Sequence, residues 1–221
     1  KTVIQRVYEQ CLKVKNIDGV YIATDSSEIE EVCRIFTNHI ILTKSTHQSG
    51  TDRIGEAVAG IDCDIVVNVQ GDEPFIDPNL IEELVHSFDD DQVSMVSAMS
   101  KIENIKDLQD PNVVKVVVDT QNNAIYFSRA PIPFPRDHQE IIHSNEELKK
   151  HHFFRHIGIY GYQKDFLAKY IKMDQTNLEK LEKLEQLRVI ENGFKIKMIL
   201  ANSNLIGIDT QEDYEEALKK Y

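Results

Sequence analysis

The sequence lacks long hydrophobic runs and the features of a secreted protein. No apolar stretch approaches the roughly 20 residues that a transmembrane helix needs, and no signal peptide is recognisable. The only cysteines are Cys11, Cys33 and Cys63, and no two of them form a C-x-x-C pair. An odd number of scattered cysteines argues against a disulfide framework. We therefore expect a protein of the reducing cytoplasm that does not bind membranes.

Basic residues are also scarce. The chain has 25 lysines and arginines against 37 aspartates and glutamates, which gives a formal net charge of -12. This charge weighs against binding of nucleic acid, because its phosphates require a basic surface. An anionic small ligand remains compatible with the sequence, since a metal ion and a few local arginines can invert the field at one site.

Three common catalytic motifs are missing. The chain contains no G-x-S-x-G elbow, no G-x-x-x-x-G-K-[ST] loop and no G-x-G-x-x-G fingerprint. Serine hydrolases, P-loop NTPases and NAD dehydrogenases therefore lose support. The composition, 41% hydrophobic and 28% charged, is ordinary for a globular protein.

The first half of the chain alternates helical and strand patterns, which is typical of a sheet built from parallel crossover units. A helix is predicted over residues 2–12. Ser27 and Glu30 form a capping box for the next helix, and Asp77 with Pro78 begins a later one. The predicted strands are GVYIATD (19–25), HIILT (39–43), DIVVNV (64–69) and VSMVSAMS (93–100).

The second half predicts a mixed α/β arrangement. NVVKVVVD (112–119) and AIYFSR (124–129) indicate a hairpin, and the three prolines of APIPFPRD favour an irregular connection. One long helix is predicted over residues 176–192, with Thr176 and Glu179 as its capping box and Gly193 as its stop. We expect a single domain over residues 1–221. Further predicted elements are a strand over 154–163, a helix over 164–173, a strand over 195–201 and a C-terminal helix after GIDT.

Two carboxylates follow strand patterns at positions where ligands bind in open α/β sheets. Asp72 ends VVNVQGD, and Asp209 ends LIGID. Two carboxylates with substrate phosphates are the usual ligands of Mg²⁺. Each aspartate is equally well explained as the cap of a following helix or turn.

Two further segments contain candidate anion-binding residues. Ser49, Gly50 and Arg53 lie in HQSGTDR, where small residues before a helix suit close approach to a phosphate. An ordinary capped loop explains this segment as well. Arg129 lies where the strand YFSR meets a proline segment, and its guanidinium can bind a carboxylate in bidentate fashion. A surface arginine is the alternative.

The segment HHFFRHIGIYGY is rich in histidine, but no cysteine or second cluster completes a zinc site. As a strand, it places His156, Tyr160 and Tyr162 on one face, where they can line a polar pocket or form part of an interface. Farther on, Glu185 and Arg188 have helical i,i+3 spacing and can form a simple salt bridge.

Seven motifs together resemble one family. HQSGTDR, VNVQGDEP, PNVVKVV, YFSRAPIP, FRHIGIYGY, LEQLR and GIDTQED occur in this order, as in the CMP-Kdo synthetases (3-deoxy-manno-octulosonate cytidylyltransferases). The resemblance implies synthesis of CMP-Kdo from CTP and Kdo with magnesium, for lipopolysaccharide synthesis, by a homodimer. It implies a fold of the nucleotide-diphospho-sugar transferase type, with a Rossmann-like mixed sheet flanked by helices and a smaller antiparallel β portion.

The resemblance also implies roles for individual residues. Asp72 and Asp209 are expected to bind magnesium and, with Arg129, to be catalytic. The remaining expected contacts are Ser49, Gly50 and Arg53 on the nucleotide side, and Gln70, Arg129, His156, Tyr160 and Glu185 on the Kdo side. Arg129 is the expected partner of the Kdo carboxylate.

One departure from the family concerns the start of the chain. The family begins with a strand and a basic loop of the form P-A-R-x-x-S-x-R-x-P-G-K, which does not occur here. We therefore expect a native form to carry further residues before Lys1. Two other functions remain open: a cytidylyltransferase for another acidic sugar, such as sialic acid or amino-Kdo, and a non-catalytic homologue that binds nucleotide sugars.

Overall fold

The computed structural model describes residues 1–47, 49–90, 92–136 and 143–201. These residues divide into two compact units. The first unit contains residues 1–89 and 161–171, and the second contains residues 90–160 and 172–201. The segment GIDTQED and the predicted C-terminal helix lie outside the described residues. The single domain over 1–221 stays a prediction.

The first unit alternates helices and strands, as the sequence predicts. Its helices begin where side chains accept hydrogen bonds from free backbone N–H groups. Thr2 caps the first helix through the Gln5 N–H, and Asp77 caps another through the Asn79 N–H at 2.9 Å. The elements are α1 (Val3–Cys11), β1 (Ile22–Thr24), α2 (Ser27–Cys33), β2 (Ile40–Leu42), α3 (Gly50–Ala57), β3 (Ile65–Asn68) and α4 (Pro78–His86).

The predicted capping box of α2 is wrong by one residue. Ser26, in extended conformation, accepts the hydrogen bond from the Ile29 N–H, whereas Ser27 already belongs to the helix. With two consecutive serines, the sequence does not show which one leaves the helical conformation. The backbone decides the matter, because only an extended residue can direct its hydroxyl at the first helical turn.

The strands of the first unit belong to two sheets. β1 and β2 pair in parallel, with Ile22 opposite Ile40, whereas β3 pairs β7 (Phe154–Gln163), whose last residues lie in this unit. Tyr8 of α1 packs with Ile22 and Cys33 to form one apolar cluster. An apolar cavity of about 430 Å³ lies in this unit, and residues of α1, β1 and β3 are among those that line it.

The second unit is built on a mixed sheet. Its elements are β4 (Met95–Lys101), α5 (Ile105–Gln109), β5 (Lys115–Val118), β6 (Ala124–Ser128), α6 (Asn145–Lys149), α8 (Asn177–Glu182), α9 (Leu187–Glu191) and β8 (Lys197–Leu200). The strand order in the sheet is β6-β5-β7-β4-β8. β5 and β6 form the predicted antiparallel hairpin, and β4 and β8 pair in parallel. Helix α7 (Lys164–Tyr170) belongs to the first unit.

Strand β4 is buried on both faces. Six of its seven residues, from Met95 to Ser100, are buried, and two of the six are serines. The strand lies between β7 and β8 in the sheet, so its serines point into the protein as its apolar residues do. Ser97 is 0% exposed, and Ser100 is 2% exposed.

The helix predicted over residues 176–192 is two helices, α8 and α9. The break lies at Lys183, whose φ of 56° is left-handed. Leucines every three residues drift by roughly 60° per step around a helix, so one straight helix cannot bury them all. After the break, Leu184 and Leu187 are buried, whereas Leu181 is 76% exposed.

Both ends of this helical pair follow the sequence. Glu179 accepts a hydrogen bond from the Thr176 N–H, as the predicted capping box requires, and Gly193 follows α9 with a φ of 80°. Of the helices in the described part of the chain, none combines the length and the apolar character that a membrane span needs.

Candidate active site

Three of the predicted site residues, Ser49, Gly50 and Gln70, lie together in the first unit, and the first two form the start of α3. Ser49 is the N-cap, and its hydroxyl accepts a hydrogen bond from the Asp52 N–H at 3.1 Å. A Cβ added at Gly50 would lie 3.7 Å from Nε2 of Gln70, so the glycine backbone faces that amide. The predicted nucleotide-side residues Ser49 and Gly50 therefore lie beside Gln70, which was expected on the sugar side.

Arg53, one turn into α3, is held by two groups. Its Nη1 donates to the Thr43 hydroxyl at 2.7 Å, and its Nη2 lies 3.1 Å from a carboxylate oxygen of Asp25. The Thr43 hydroxyl in turn donates to the Thr24 carbonyl. Arg53 therefore has a fixed orientation and a nearby compensating charge, which the sequence motif did not show.

Asp72 lies in the turn that follows β3 by a few residues. The turn is closed by the Glu73 N–H, which donates to the Gln70 carbonyl at 3.3 Å. Gly71 lies close to α1 at this turn, because a Cβ there would lie 2.9 Å from Cδ1 of Ile4. Asp72 itself is exposed, so its carboxylate is accessible to a ligand.

The expected second magnesium ligand, Asp209, lies outside the described residues. Among the residues that are described, no group of three His, Cys, Asp or Glu side chains forms a metal site by itself. Mg²⁺ commonly binds one or two carboxylates together with substrate phosphates and water. An accessible, hard oxygen donor such as Asp72 fits that kind of site.

In the second unit, β7 places His156 and Tyr160 on one face, as the strand pattern predicts. Their ring centroids are 5.4 Å apart. Gly158 lies between them on the same face, and a Cβ added there would meet no atom of the described residues within 4 Å. The space over Gly158 is therefore open and flanked by two polar aromatic side chains. Tyr162 is fully buried against Tyr170 and does not line this space.

His156 is a neutral ring in this site. Burial lowers the pKa of His156 to about 3, because desolvation penalises the charged imidazolium. The ring packs edge-on against Phe127 at 5.0 Å, and its Nε2 lies 2.8 Å from the Ser97 hydroxyl. At neutral pH His156 therefore offers hydrogen bonds without charge.

The α8–α9 connection adds two polar residues near Tyr160. The Tyr160 hydroxyl donates to Oε1 of Gln186 at 3.5 Å. Gln186 is 3% exposed, and its Nε2 has no hydrogen-bond partner among the described residues. Glu185, the predicted site residue, is half-buried next to it. The amide of Gln186 is thus a buried donor that has no acceptor in the described part of the chain.

Arg188 forms an ion pair with Glu179. The two Arg188 nitrogens Nε and Nη2 donate to the two carboxylate oxygens of Glu179, with the Nε bond at 2.8 Å. Both side chains are buried. This bidentate ion pair joins α8 to α9 and fixes the connection that carries Glu185 and Gln186.

Arg129 lies just after β6 and is oriented by backbone groups. Its Nε donates to the Glu182 carbonyl at 2.8 Å, and its Nη1 donates to the Pro111 carbonyl at 2.9 Å. Its Nη2 has no partner among the described residues. The predicted carboxylate-binding arginine is therefore a preoriented guanidinium with one donor edge still available.

A fully buried lysine supports the loop beneath Arg129. Lys115 is 0% exposed, and its Nζ donates to the carbonyls of Asp110 and Val113 at 2.8 and 2.6 Å. Burial lowers the pKa of Lys115. The loop 110–113 therefore turns its carbonyls towards two cations, Lys115 and Arg129.

Glu182 organises the other side of Arg129. Its carboxylate accepts hydrogen bonds from the Ser128 hydroxyl at 2.7 Å, the Arg129 N–H at 3.0 Å and the Tyr126 hydroxyl at 3.4 Å. Burial raises the pKa of Glu182, but these donors and the Arg129 charge outweigh it and leave the pKa below its usual value. Glu182 is therefore a carboxylate at neutral pH.

Sequence reasoning missed several of these residues. The sequence could have identified Asp25, because it is a carboxylate directly after a strand pattern. It could also have identified Lys115, because this residue is a charge within a run of valines. No sequence feature identifies Gln186 or Glu182, since helix surfaces commonly carry such residues.

Comparisons with known proteins give consistent results. A family model described as cytidylyltransferase matches residues 1–197. The chain is 45% identical over 214 residues to the 3-deoxy-manno-octulosonate cytidylyltransferase of Syntrophotalea carbinolica, covering 96% of this chain and 85% of the relative. It is 46% identical to the protein of that name from Francisella tularensis, covering 100% and 88%.

Solved structures extend the likeness to the fold. The structure of CMP:2-keto-3-deoxy-manno-octonic acid synthetase complexed with CTP matches with a TM-score of 0.89 and 35% identity, covering 100% of this chain and 88% of that chain. The 4-diphosphocytidyl-2C-methyl-D-erythritol synthase of Anaerococcus prevotii matches with a TM-score of 0.62 and 14% identity, covering 100% and 90%. The second similarity shows a shared fold alone.

Proposed function

Because this chain belongs to the cytidylyltransferase family, and within it to the 3-deoxy-manno-octulosonate cytidylyltransferases, we propose that it transfers the CMP moiety of CTP to Kdo and releases pyrophosphate. The observation that carries this proposal is the full-length match to a CTP-bound enzyme with the same reaction in its name. The product serves lipopolysaccharide synthesis, and the reaction takes place in the cytoplasm.

CTP is bound by the first unit. Ser49 and Gly50 offer an accessible helix start, which suits a negatively charged ligand. Arg53 approaches from the next turn, with its side chain held by Asp25 and Thr43. Because Asp25 already compensates part of its charge, Arg53 acts more through fixed hydrogen-bond geometry than through net charge.

Kdo is bound by the second unit, where a cation and neutral polar groups are available. Arg129 pairs with the sugar carboxylate through its remaining donor edge, since its other donors are engaged by carbonyls. His156, Tyr160 and Glu185 bind sugar hydroxyls around the open space at Gly158. Gln186 joins them through its unpaired buried amide.

Magnesium is the proposed cofactor, bound by Asp72 and Asp209. The accessible carboxylate of Asp72 supports this assignment, and Asp209 rests on the family resemblance alone. The bound ion supplies neutralisation of phosphate charge and a lower pKa for the attacking sugar hydroxyl. The protein residues contribute positioning of two anionic reactants that would otherwise repel each other.

A homodimer is the proposed assembly. β6 is an outer strand of its sheet, and Ile125 on this strand is 57% exposed. Phe134 and Leu181, also in the second unit, are 68% and 76% exposed. Exposed apolar residues of this kind are commonly covered by a second copy.

The proposed reaction is tested by measuring pyrophosphate release with CTP, magnesium and a panel of acidic sugars. We expect Kdo to give the highest kcat/KM, with amino-Kdo and sialic acid well below it. A preference for another sugar would assign the enzyme to that substrate. No release with any sugar, from a folded protein, would leave the non-catalytic homologue as the better explanation.

A further inference from the structure

The hydroxyl of Ser97 lies among three hydrogen-bonding atoms in the second unit. Its Oγ is 2.8 Å from the Ile159 carbonyl, 3.3 Å from the Ile157 carbonyl and 2.8 Å from Nε2 of His156. Ser97 is 0% exposed on the buried strand β4. The hydroxyl has a single proton to donate among these neighbours.

The identity of the neighbours decides where that proton goes. A carbonyl oxygen can only accept, and a hydroxyl has one donor and two acceptor sites. If the hydroxyl donated to His156, the Ile159 carbonyl would face an oxygen lone pair at 2.8 Å, which is repulsive. The arrangement that places a proton in both 2.8 Å contacts has the Ser97 O–H donating to the Ile159 carbonyl. Nε2 of His156 then donates its proton to Ser97.

We infer that Ser97 is a positioning residue that holds His156 as the tautomer with the proton on Nε2. Nδ1 then carries a lone pair and can only accept a hydrogen bond. Nδ1 has no partner among the described residues. We further infer that Nδ1 accepts a hydrogen bond from a hydroxyl of the acidic sugar. This second part of the inference rests on the proposed function.

The ring is also held in place by its apolar neighbours. Phe127 meets it edge-on with an interplanar angle of 75°, and Tyr160 packs against it at 5.4 Å. A neutral ring with a fixed acceptor favours a hydroxyl over a carboxylate, because a carboxylate oxygen cannot donate. His156 and Arg129 would thus recognise different groups of one ligand: the arginine binds the carboxylate, and the histidine binds a hydroxyl.

The tautomer itself is measured by NMR on protein labelled with ¹⁵N-histidine, with a His156→Gln variant to assign the signals. Long-range proton–nitrogen spectra distinguish a protonated ring nitrogen from one with a lone pair. We expect protonated Nε2 and unprotonated Nδ1 in the wild-type protein at pH 7. Protonated Nδ1, or two protonated nitrogens, would overturn the inference without any variant of Ser97.

Variants on β4 then test the role of the hydroxyl. Ser97→Ala should produce a mixture of tautomers, and Ser97→Thr should restore the wild-type spectrum because it keeps a hydroxyl. Ser100→Ala is the matched control, since Ser100 is buried on the same strand and its Oγ has no partner among the described residues. An unchanged tautomer in Ser97→Ala would overturn the role of Ser97.

Kinetics connect the tautomer to the ligand. Ser97→Ala should raise the KM for the sugar roughly two- to ten-fold, which corresponds to one weakened neutral hydrogen bond, and should leave the KM for CTP within about two-fold. Ser97→Thr and Ser100→Ala should stay near wild type. Equal changes in both KM values, or none in either, would overturn the positioning role. Absence of turnover with every sugar would count against the proposed function, while the spectra would still decide the tautomer.

Discussion

Replacing Glu182 with glutamine tests how Arg129 is held in place. The substitution keeps the size of the side chain and removes its charge. In the wild-type protein the two shorter hydrogen bonds to this carboxylate come from the Ser128 hydroxyl at 2.7 Å and the Arg129 N–H at 3.0 Å. An amide has only one acceptor oxygen, so one of these donors loses its acceptor or must rearrange.

The expected loss follows from the strength of the two bonds. A hydrogen bond to a charged acceptor contributes about 1.5–3 kcal/mol, and a neutral one contributes about 0.5–1.5 kcal/mol. The difference between a charged and a neutral acceptor is therefore about 1 kcal/mol per bond, or about 2 kcal/mol for the two bonds. Glu182 is half-buried, and solvent screening reduces the electrostatic part. We therefore expect Glu182→Gln to lower the free energy of unfolding by about 1–2 kcal/mol.

Urea unfolding followed by circular dichroism measures this difference, and the melting temperature should fall by roughly 2 to 8 °C. Glu191→Gln is the matched control, because Glu191 is exposed and accepts one bond from the Leu178 N–H. We expect the control to change stability by less than about 0.5 kcal/mol. Equal effects of the two substitutions would refute the conclusion that Glu182 organises this region.

Four further outcomes are expected. The pKa of Glu182 is lowered in the folded protein. The stabilising contribution of this carboxylate is therefore complete above its unfolded pKa of about 4.3 and is lost as the pH falls through the lower folded pKa. The difference in unfolding free energy between wild type and Glu182→Gln should shrink below about pH 5, and a constant difference would contradict this. Asp72→Asn should abolish CMP transfer without changing the melting temperature; near wild-type turnover at saturating magnesium would remove Asp72 from the metal site. Gly158→Ala should raise the KM for the sugar and leave stability almost unchanged, since the added methyl group meets only open space; an unaffected KM would place the sugar elsewhere. Light scattering at micromolar concentration should show a dimer, and a species of 25.4 kDa alone would exclude it.

Local patterns in the sequence predicted the elements of the fold well where the cause is local. Asp77 and Pro78 begin α4 as expected, because capping depends only on neighbouring residues. The break at Lys183 was missed for a physical reason. It depends on the burial of Leu184 and Leu187 and on the pairing of Arg188 with Glu179, which are properties of the packed unit.

The candidate site shows the same limit more strongly. The motifs identified Arg53, Arg129 and His156 as polar residues in the right context, but each is oriented by a residue far away in the chain. Asp25 pairs with Arg53, Glu182 with Arg129, and Ser97 with His156. Hydrogen bonds across such separations have no signature in the spacing of residues, so the sequence could suggest the groups but not their orientation.

The burial of β4 on both faces has a consequence for motion. Amide hydrogens of a strand enclosed on both sides exchange with solvent only when the surrounding structure opens, often together with the whole cooperative unit. Ser97 is carried by this strand, so its hydroxyl belongs to the part of the second unit that opens most rarely. Fluctuations of the loops around the site would therefore leave the hydrogen bond to His156 intact. Hydrogen-exchange mass spectrometry should find the peptides of β4 among the slowest in the protein.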